Sequence, residues 1–564
     1  MGKMSDRFVQ KAREILRSER GSVKKEWGGR ISVCLIFPNH YYVGMSNLGF
    51  QTIYGLLNDR PDVVCERAFL PTIEEQQEPS RHRRPLLSIE SQRPLSDFEI
   101  LAFSLSFEND FINVLAVLDL ANIPLESSER RSQDPLVIAG GVATFLNPEP
   151  LADFIDVFLL GEGEAILPAF MDVYKKNRET KNCHADFLHT LAPLEGAYVP
   201  RFYEPLYDRG GFIREVLVKP PFPPQIKRTY AKNIDDFVTT SVIRTPHTEF
   251  GNMMLLEVNR GCPRRCLFCA VCSAFSPYRN RSVEHLITAA EAGTRKGDRI
   301  GLTGAAVSDH PGFESLCSFI VDRGGTFSLA SIRLDNVTEP LCRSLGMGGV
   351  KTVALAPEAG SERLRDLIRK GITEDDIFRA ADILMENGVM NLRLYFLVGI
   401  PTETDEDVEA IVQLTRKIKH RMLQKAKSLR RLGRIKLSVN GLIPKPSTPF
   451  QWAPFEEVTR LHHKLGMVKS SLKREANVDV THDVPKWSYI QSLLSRGDRR
   501  VGKLLLAAHR AGGDWRKAFR QLNINPDFYV YRERNRDEIF PWDFIEHGVS
   551  KDRLWQQYVS AVKT

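Results

Sequence analysis

At 564 residues, with 42% hydrophobic and 26% charged side chains, the chain has material for three or four domains with full cores. A net charge of +8 is mild for this length, so it admits an acidic or nucleic-acid partner without demanding one. An apolar run of about 18 residues, the minimum for a helical membrane span, does not occur. Nine cysteines, four of them packed between Cys262 and Cys272, do not form a secreted disulfide framework. They point to a reducing, cytoplasmic compartment and a metal or cluster role. Cys34, Cys65, Cys183, Cys317 and Cys342 are scattered through mostly apolar contexts and read as ordinary buried thiols.

Residues 1–29 alternate charge with Phe8, Val9, Ile15 and Leu16, which predicts an amphipathic helix rather than a leader peptide. From 30 to 180, apolar runs alternate with helical stretches. Ile31–Phe37, Ile100–Phe107, Pro135–Gly141 and Val157–Gly161 read as strands. Leu48–Leu57, Phe111–Leu120 and Ala165–Lys176 read as helices. Near-continuous apolar strands separated by helices predict a doubly wound parallel sheet, with ligands at the carboxyl ends of its strands. Ser104, the pair Gly140-Gly141, and Gly161 in Gly-Glu-Gly-Glu164 stand at those ends. Glycine there permits close backbone approach or a positive φ.

Residues 181–250 read as a connecting segment. It holds a hairpin turn at Asp208-Arg-Gly-Gly-Phe and a break at Pro220-Pro-Phe-Pro-Pro. From 251 to 460 six further strands are expected, at Met253–Val258, Arg299–Thr303, Thr326–Ala330, Lys351–Leu355, Asn391–Val398 and Ile435–Asn440. Helices lie between them, so a partial (β/α)6 barrel follows, with chemistry at the strand carboxyl ends. Residues 461–564 read as helical and carry no motif with evident chemistry.

The first barrel strand runs into Glu257-Val-Asn-Arg-Gly-Cys262-Pro-Arg-Arg-Cys266-Leu-Phe-Cys269. Three thiolates at this spacing can hold three irons of a 4Fe–4S cube and leave one iron open. With Cys272 as a fourth ligand the same thiols would suit tetrahedral zinc or a closed electron-transfer cluster. Later strand ends carry Thr303-Gly304-Ala, Ser331-Ile-Arg333, Ala-Pro-Glu358-Ala-Gly and Gly399-Ile400-Pro-Thr-Glu-Thr. Arg suits a carboxylate because its fork can donate two parallel hydrogen bonds. Thr404, followed by Asp405 and Glu406, also makes a good helix start.

The cysteine trio with these strand ends resembles the radical S-adenosylmethionine (radical SAM) superfamily over about 30–460, most strongly over 255–455. The resemblance implies Cys262, Cys266 and Cys269 as cluster ligands, with S-adenosylmethionine (SAM) on the open iron. Phe268, Gly304, Ser331, Arg333, Glu358, Gly399 and Ile400 would then lie around SAM. Gly304 offers backbone carbonyls, because the acid often found beside it is absent. Reductive cleavage to a 5′-deoxyadenosyl radical requires an electron donor such as flavodoxin or ferredoxin.

The first α/β domain resembles the cobalamin-binding domain that precedes many such cores, and Ser104, Gly140, Gly141 and Gly161 would line its site. It departs in one motif. Asn39-His-Tyr-Tyr-Val-Gly44 replaces Asp-x-His-x-x-Gly, so His40 reads as a loop histidine and cobalamin would bind without a histidine on cobalt. The domain order implies cobalamin-assisted methyl transfer to an unactivated carbon. The alternatives are a cobalamin-independent rearrangement or RNA modification, and a non-catalytic cluster or zinc protein that binds RNA. Cys272 reads as a thiol outside the cluster, with acceptor or alternative-ligand roles open. Ten Lys or Arg between Arg416 and Lys436, without an acid, read as a solvated outer face more than as a nucleic-acid site.

Overall fold

The computed structural model describes residues 6–77, 85–180, 184–237, 240–329, 331–429 and 432–562. Residues 1–5 of the expected N-terminal helix, Cys183, Ala330, and Arg430 and Arg431 of the basic stretch lie outside them.

The first domain is built on a six-stranded sheet: β1 (Ile31–Phe37), β2 (Val63–Phe69), β3 (Ile100–Ser104), β4 (Leu136–Gly140), β5 (Val157–Leu159) and β6 (Ala197–Tyr198). Its order is β2-β1-β3-β4-β5-β6, parallel except for the last pair. Every residue of β1 and β2 is buried, as expected where helices cover both faces of a sheet. Helices Leu48–Asp59, Phe111–Leu120 and Gly163–Thr180 connect the strands. The order reverses between β1 and β3, where doubly wound sheets open a crevice for ligands.

Strand β2 has no counterpart among the strands expected from sequence, because Glu66 and Arg67 interrupt its apolar run. Arg67 is fully buried. Its Nη1 and Nη2 donate to the two oxygens of Glu19 at 2.8 and 2.7 Å, and its Nε donates to Glu90 at 2.6 Å. Glu66 accepts from Trp27 Nε1 and the Ser88 and Ser91 hydroxyls. Complete pairing lets two charges lie in a core strand.

All six strands expected in the barrel region are present among the described residues, and a seventh parallel strand joins them from the region expected to be helical. These are β7 (Met254–Glu257), β8 (Ile300–Thr303), β9 (Phe327–Leu329), β10 (Thr352–Glu358), β11 (Asn391–Val398), β12 (Ile435–Gly441) and β13 (Val478–His482). They form a three-stranded and a four-stranded sheet, linked by a parallel bridge between Ile332 and Leu355. The added strand lies at the sheet edge, partly exposed along its whole length.

The C-terminal helices join the two α/β domains. Helix Arg500–Arg510 packs on Phe111–Leu120, and helix Lys551–Val562 lies on the turn Pro449–Trp452. Glu108 of the first domain accepts from Lys445 of the barrel and from Gln491. The basic stretch lies largely on helix Asp405–Leu429, whose Ile411, Leu414 and Ile418 are buried. Its cations meet carboxylates of neighbouring elements: Arg416 and Lys419 pair with Glu475, Lys417 with Glu374, Arg421 with Asp382 and Lys425 with Glu386. Among the described residues no helix is long and apolar enough to cross a membrane.

Candidate active site

Strand β7 delivers the chain to the cysteine loop. Gly261 turns it at φ +82, where a Cβ would stand 2.5 Å from the Phe275 carbonyl oxygen. The loop is tied to the barrel by Leu267 N–H, which donates to Ile368 O at 3.1 Å. Cys262, Cys266, Cys269 and Cys272 line one cavity of about 320 Å³, closed on other sides by Tyr278, Thr448, Val549, Leu554 and Gln557. The four thiols share this space without any three His, Cys, Asp or Glu among the described residues closing to the spacing of a metal site.

A hydrogen bond from Cys272 holds the Cys262 thiol below its ordinary value, and the same interaction raises Cys272. Burial lifts Cys269 to about 12 and raises Cys266, against the pull of Lys370 and Arg333. Three soft donors from one loop facing one cavity fit an iron–sulfur cube.

Around the thiols, Ile400 and Leu267 belong to one buried apolar cluster with Phe450, Trp452, Trp542 and Leu554, and Phe268 packs against it. Residues 540–558 therefore reach the cysteine loop, although the sequence of that region carries no motif that shows it. Glu358 ends β10 with φ +68, a conformation that is strained for a non-glycine residue and that gathers at functional sites. Its Oε1 accepts from Lys370 Nζ at 3.0 Å. Arg333 closes its fork on Asp335 at 2.7 and 3.1 Å, and its Nη2 also donates to Lys370 O at 2.9 Å. Sequence reasoning missed Lys370, which stands in an ordinary turn between two helices.

Gly399 has φ +82, its N–H donates to Glu403 at 2.7 Å, and a Cβ on it would stand 2.9 Å from Glu456 Cβ. Glu403 in turn meets Lys464 at 2.8 Å. Ser331 is exposed. Gly304 is among the residues lining a second cavity.

That second cavity, about 410 Å³, opens at the carboxyl ends of β3, β4 and β5. It is lined by Ser104, Gly140, Gly141 and Gly161, with apolar walls from Leu35, Ile53, Ala102 and Ile138. Its size suits a small-molecule site. Two of the glycines also answer to neighbouring backbone. A Cβ on Gly141 would stand 2.4 Å from Leu105 O, and one on Gly161 would stand 2.4 Å from Thr229 O. His40 is not among the lining residues. Its Nδ1 lies 3.2 Å from Leu70 O, in a separate cavity of about 490 Å³ beneath helix Asp6–Ser18. The lining is mostly apolar but includes Glu162, Glu164, Glu257 and Arg260, and among the described residues none of those lining it is a histidine.

Two sequence families match the chain in order: the N-terminal domain of radical SAM proteins over residues 49–200 and the radical SAM superfamily over 256–415. An uncharacterised protein of Methanocaldococcus jannaschii, MJ0966, is 31% identical over 84% of this chain and 90% of its own length. An uncharacterised methyltransferase of Pyrococcus horikoshii, PH0819, is 25% identical over 55% of this chain and 65% of its own length. Among solved structures, the radical SAM methyltransferase TsrM of Kitasatospora setae, with cobalamin and a 4Fe–4S cluster bound, aligns at a TM-score of 0.48. That alignment has 14% identity and covers 73% of this chain and 72% of TsrM. With both families in sequence and a relative aligned along most of its length, the chain belongs to the radical SAM superfamily and carries the N-terminal domain of radical SAM proteins ahead of the core.

Proposed function

We propose that the protein is a radical SAM enzyme that carries a 4Fe–4S cube on Cys262, Cys266 and Cys269, cleaves SAM reductively, and transfers a methyl group with the help of cobalamin. The observation that carries the reading is the sharing of one cavity by thiols from a single loop at the head of the first barrel strand. When bound, the cube supplies the electron that splits SAM to a 5′-deoxyadenosyl radical, and cobalamin supplies a transferable methyl group.

The chain's own residues bind, orient and shield. Cys262, Cys266 and Cys269 are the cluster ligands, and Cys272 stays outside as a hydrogen-bond partner of Cys262. Phe268 and Ile400, packed with Leu267 and Leu554, keep water from the thiols. Glu358 and Lys370, fixed by Arg333, present an ion pair beside Cys266 for the amino and carboxylate groups of SAM. Gly304 contributes backbone, and Ser331 a hydroxyl at the exposed end of β9. Ser104, Gly140, Gly141 and Gly161 frame the cobalamin cavity, with no histidine for cobalt. That PH0819 is named a methyltransferase supports the same reaction class.

A second reading has its own observation. Because Leu105 and Thr229 already account for Gly141 and Gly161, the cavity is also consistent with a domain that keeps the fold without cobalamin. One anaerobic experiment tests both readings. The protein is reconstituted with iron and sulfide, reduced in the presence of SAM, and incubated with hydroxocobalamin. The proposal expects 5′-deoxyadenosine and a protein-bound corrinoid absorbance. Deoxyadenosine without corrinoid selects the second reading, and zinc-loaded protein that forms no deoxyadenosine ends both.

A further inference from the structure

Between the two cavities lies a charged network that neither cofactor reading uses. Arg260, two residues before Cys262, is 8% exposed and bonds to three carboxylates. Its Nη1 donates to Glu162 at 2.8 Å and its Nη2 to Glu164 at 2.8 Å. Its Nε and Nη2 take both oxygens of Glu257, at 3.0 and 2.9 Å. Glu162 is held again by Arg279, at 3.0 Å to its Oε2, and by the Ala231 N–H at 3.0 Å. Glu257 is held again by Arg281 Nη2 at 2.9 Å.

Three acids and three arginines thus balance, and all of them are largely buried. Glu162 stands in the turn after β5 and Glu164 in the first turn of the helix that follows, and both line the first domain's cavity together with Arg260 and Glu257. Arg260 and Arg279 pair across the open end of the cysteine loop as neighbouring short strands. From Arg260 only Gly261 intervenes before Cys262, and Gly261 is pinned against the Phe275 carbonyl. With one residue between them, a displacement of the guanidinium reaches the first ligand through a single close-packed backbone link.

We propose that Arg260 is a positioning residue: Glu162 and Glu164 of the first domain fix its fork, and the fork fixes where Cys262 stands in the cluster site. The inference rests on the reading of Cys262 as a cluster ligand. The geometry asks for a planar fork with three simultaneous partners, which an ammonium group cannot reproduce. Groups behind metal ligands commonly change affinity or activity by about 10–100-fold when altered.

The test uses the full chain with reconstituted cluster and compares Arg260→Lys and Glu164→Gln with Glu149→Gln. The last weakens a different interdomain pair, Glu149 with Arg499, neither of which lines the cysteine cavity. Readouts are iron content, circular dichroism, the electron paramagnetic resonance spectrum of the reduced cluster, and the change that SAM induces in it. Arg260→Lys is expected to keep its fold and iron while its reduced-cluster spectrum is altered and the fraction shifted by SAM drops about ten-fold. Glu164→Gln, a gentler change, should move the spectrum in the same direction. Glu149→Gln should lower thermal stability and leave the spectrum as in the parent.

Parent-like spectra in both network variants, or an equal change in Glu149→Gln, would overturn the positioning role. A parent protein whose reduced cluster shows no response to SAM refutes the functional reading instead; the spectra without SAM still judge the network. A parent that assembles no cluster ends both.

Discussion

The two cavities on either side of Arg260 are built from opposite materials. The cysteine cavity takes its chemistry from eleven consecutive residues, and the rest of the molecule only closes it. The strand-end cavity is assembled from β1, β3, β4 and β5, spread over residues 31–159, with aliphatic walls and a rim of Glu162, Glu164, Glu257 and Arg260 tied to one another by ion pairs. The first kind of site declares its donors and so its class of cofactor. The second declares shape and a mixed, mostly apolar lining, which select a small-molecule class without naming it. A local motif thus identifies chemistry, whereas an assembled cavity identifies a ligand class.

The largest expected effect falls on the cysteine side. Replacing Cys266 or Cys269 by alanine should abolish deoxyadenosine formation, a loss of about a thousand-fold or more, since the cube loses an iron ligand. Cys272→Ala should retain full iron content, measured by a colorimetric iron assay. If it loses iron as Cys269→Ala does, the thiols form a four-ligand set and the contrast between an open and a closed cluster disappears.

A smaller effect sharpens the other side. Ala102 on β3 lines the strand-end cavity and is 7% exposed. Ala102→Phe should fill part of that space, weaken hydroxocobalamin binding by about ten-fold or more as titrated by absorbance, and leave the iron content at the parent level. Loss of iron as well would show that the two cavities are one structural unit.

The same contrast explains what was legible in the sequence. The cysteine loop and the expected barrel strands could be read because their signals are contiguous. Strand β2 could not, because Glu66 and Arg67 look like surface residues until Glu19, Glu90 and Trp27 are brought to them by folding. Strand β13, Val-Asp-Val-Thr-His, escaped because an edge strand buries too little to show an apolar run. Lys370 became visible only through Glu358 and Arg333, and the C-terminal wall of the cysteine cavity only through Val549, Leu554 and Gln557. In each case the missing information is a long-range partner.

The smallest effects are on stability, and they take opposite signs in the two regions. His547 is buried, close to the backbone of Phe145 and Ser273. Burial and then Arg228 bring its imidazole down to about 3, against the carbonyls of Phe145 and Ser273. The unfolded chain takes up a proton below the ordinary value of 6.5 and the folded chain does not, so stability is lost as pH falls from 6.5 towards 3. Asp110, near the carboxyl ends of β1 and β3, behaves in reverse. Burial lifts its carboxyl to about 6, only partly offset by Asn39, Asn113 and His40. There the folded chain binds the proton first, so stability rises as pH falls from 6 towards 3.8.

His547→Gln should therefore flatten the acid side of the stability profile. Asp110→Asn should raise stability at pH 7.5 by about 1–2 kcal/mol, because an amide is cheaper to bury than a carboxylate and can still accept from Asn39. Denaturant midpoints measured from pH 4 to 8 check both. If the two variants shift the profile in the same direction, the buried histidine and the buried carboxyl do not titrate as their surroundings require.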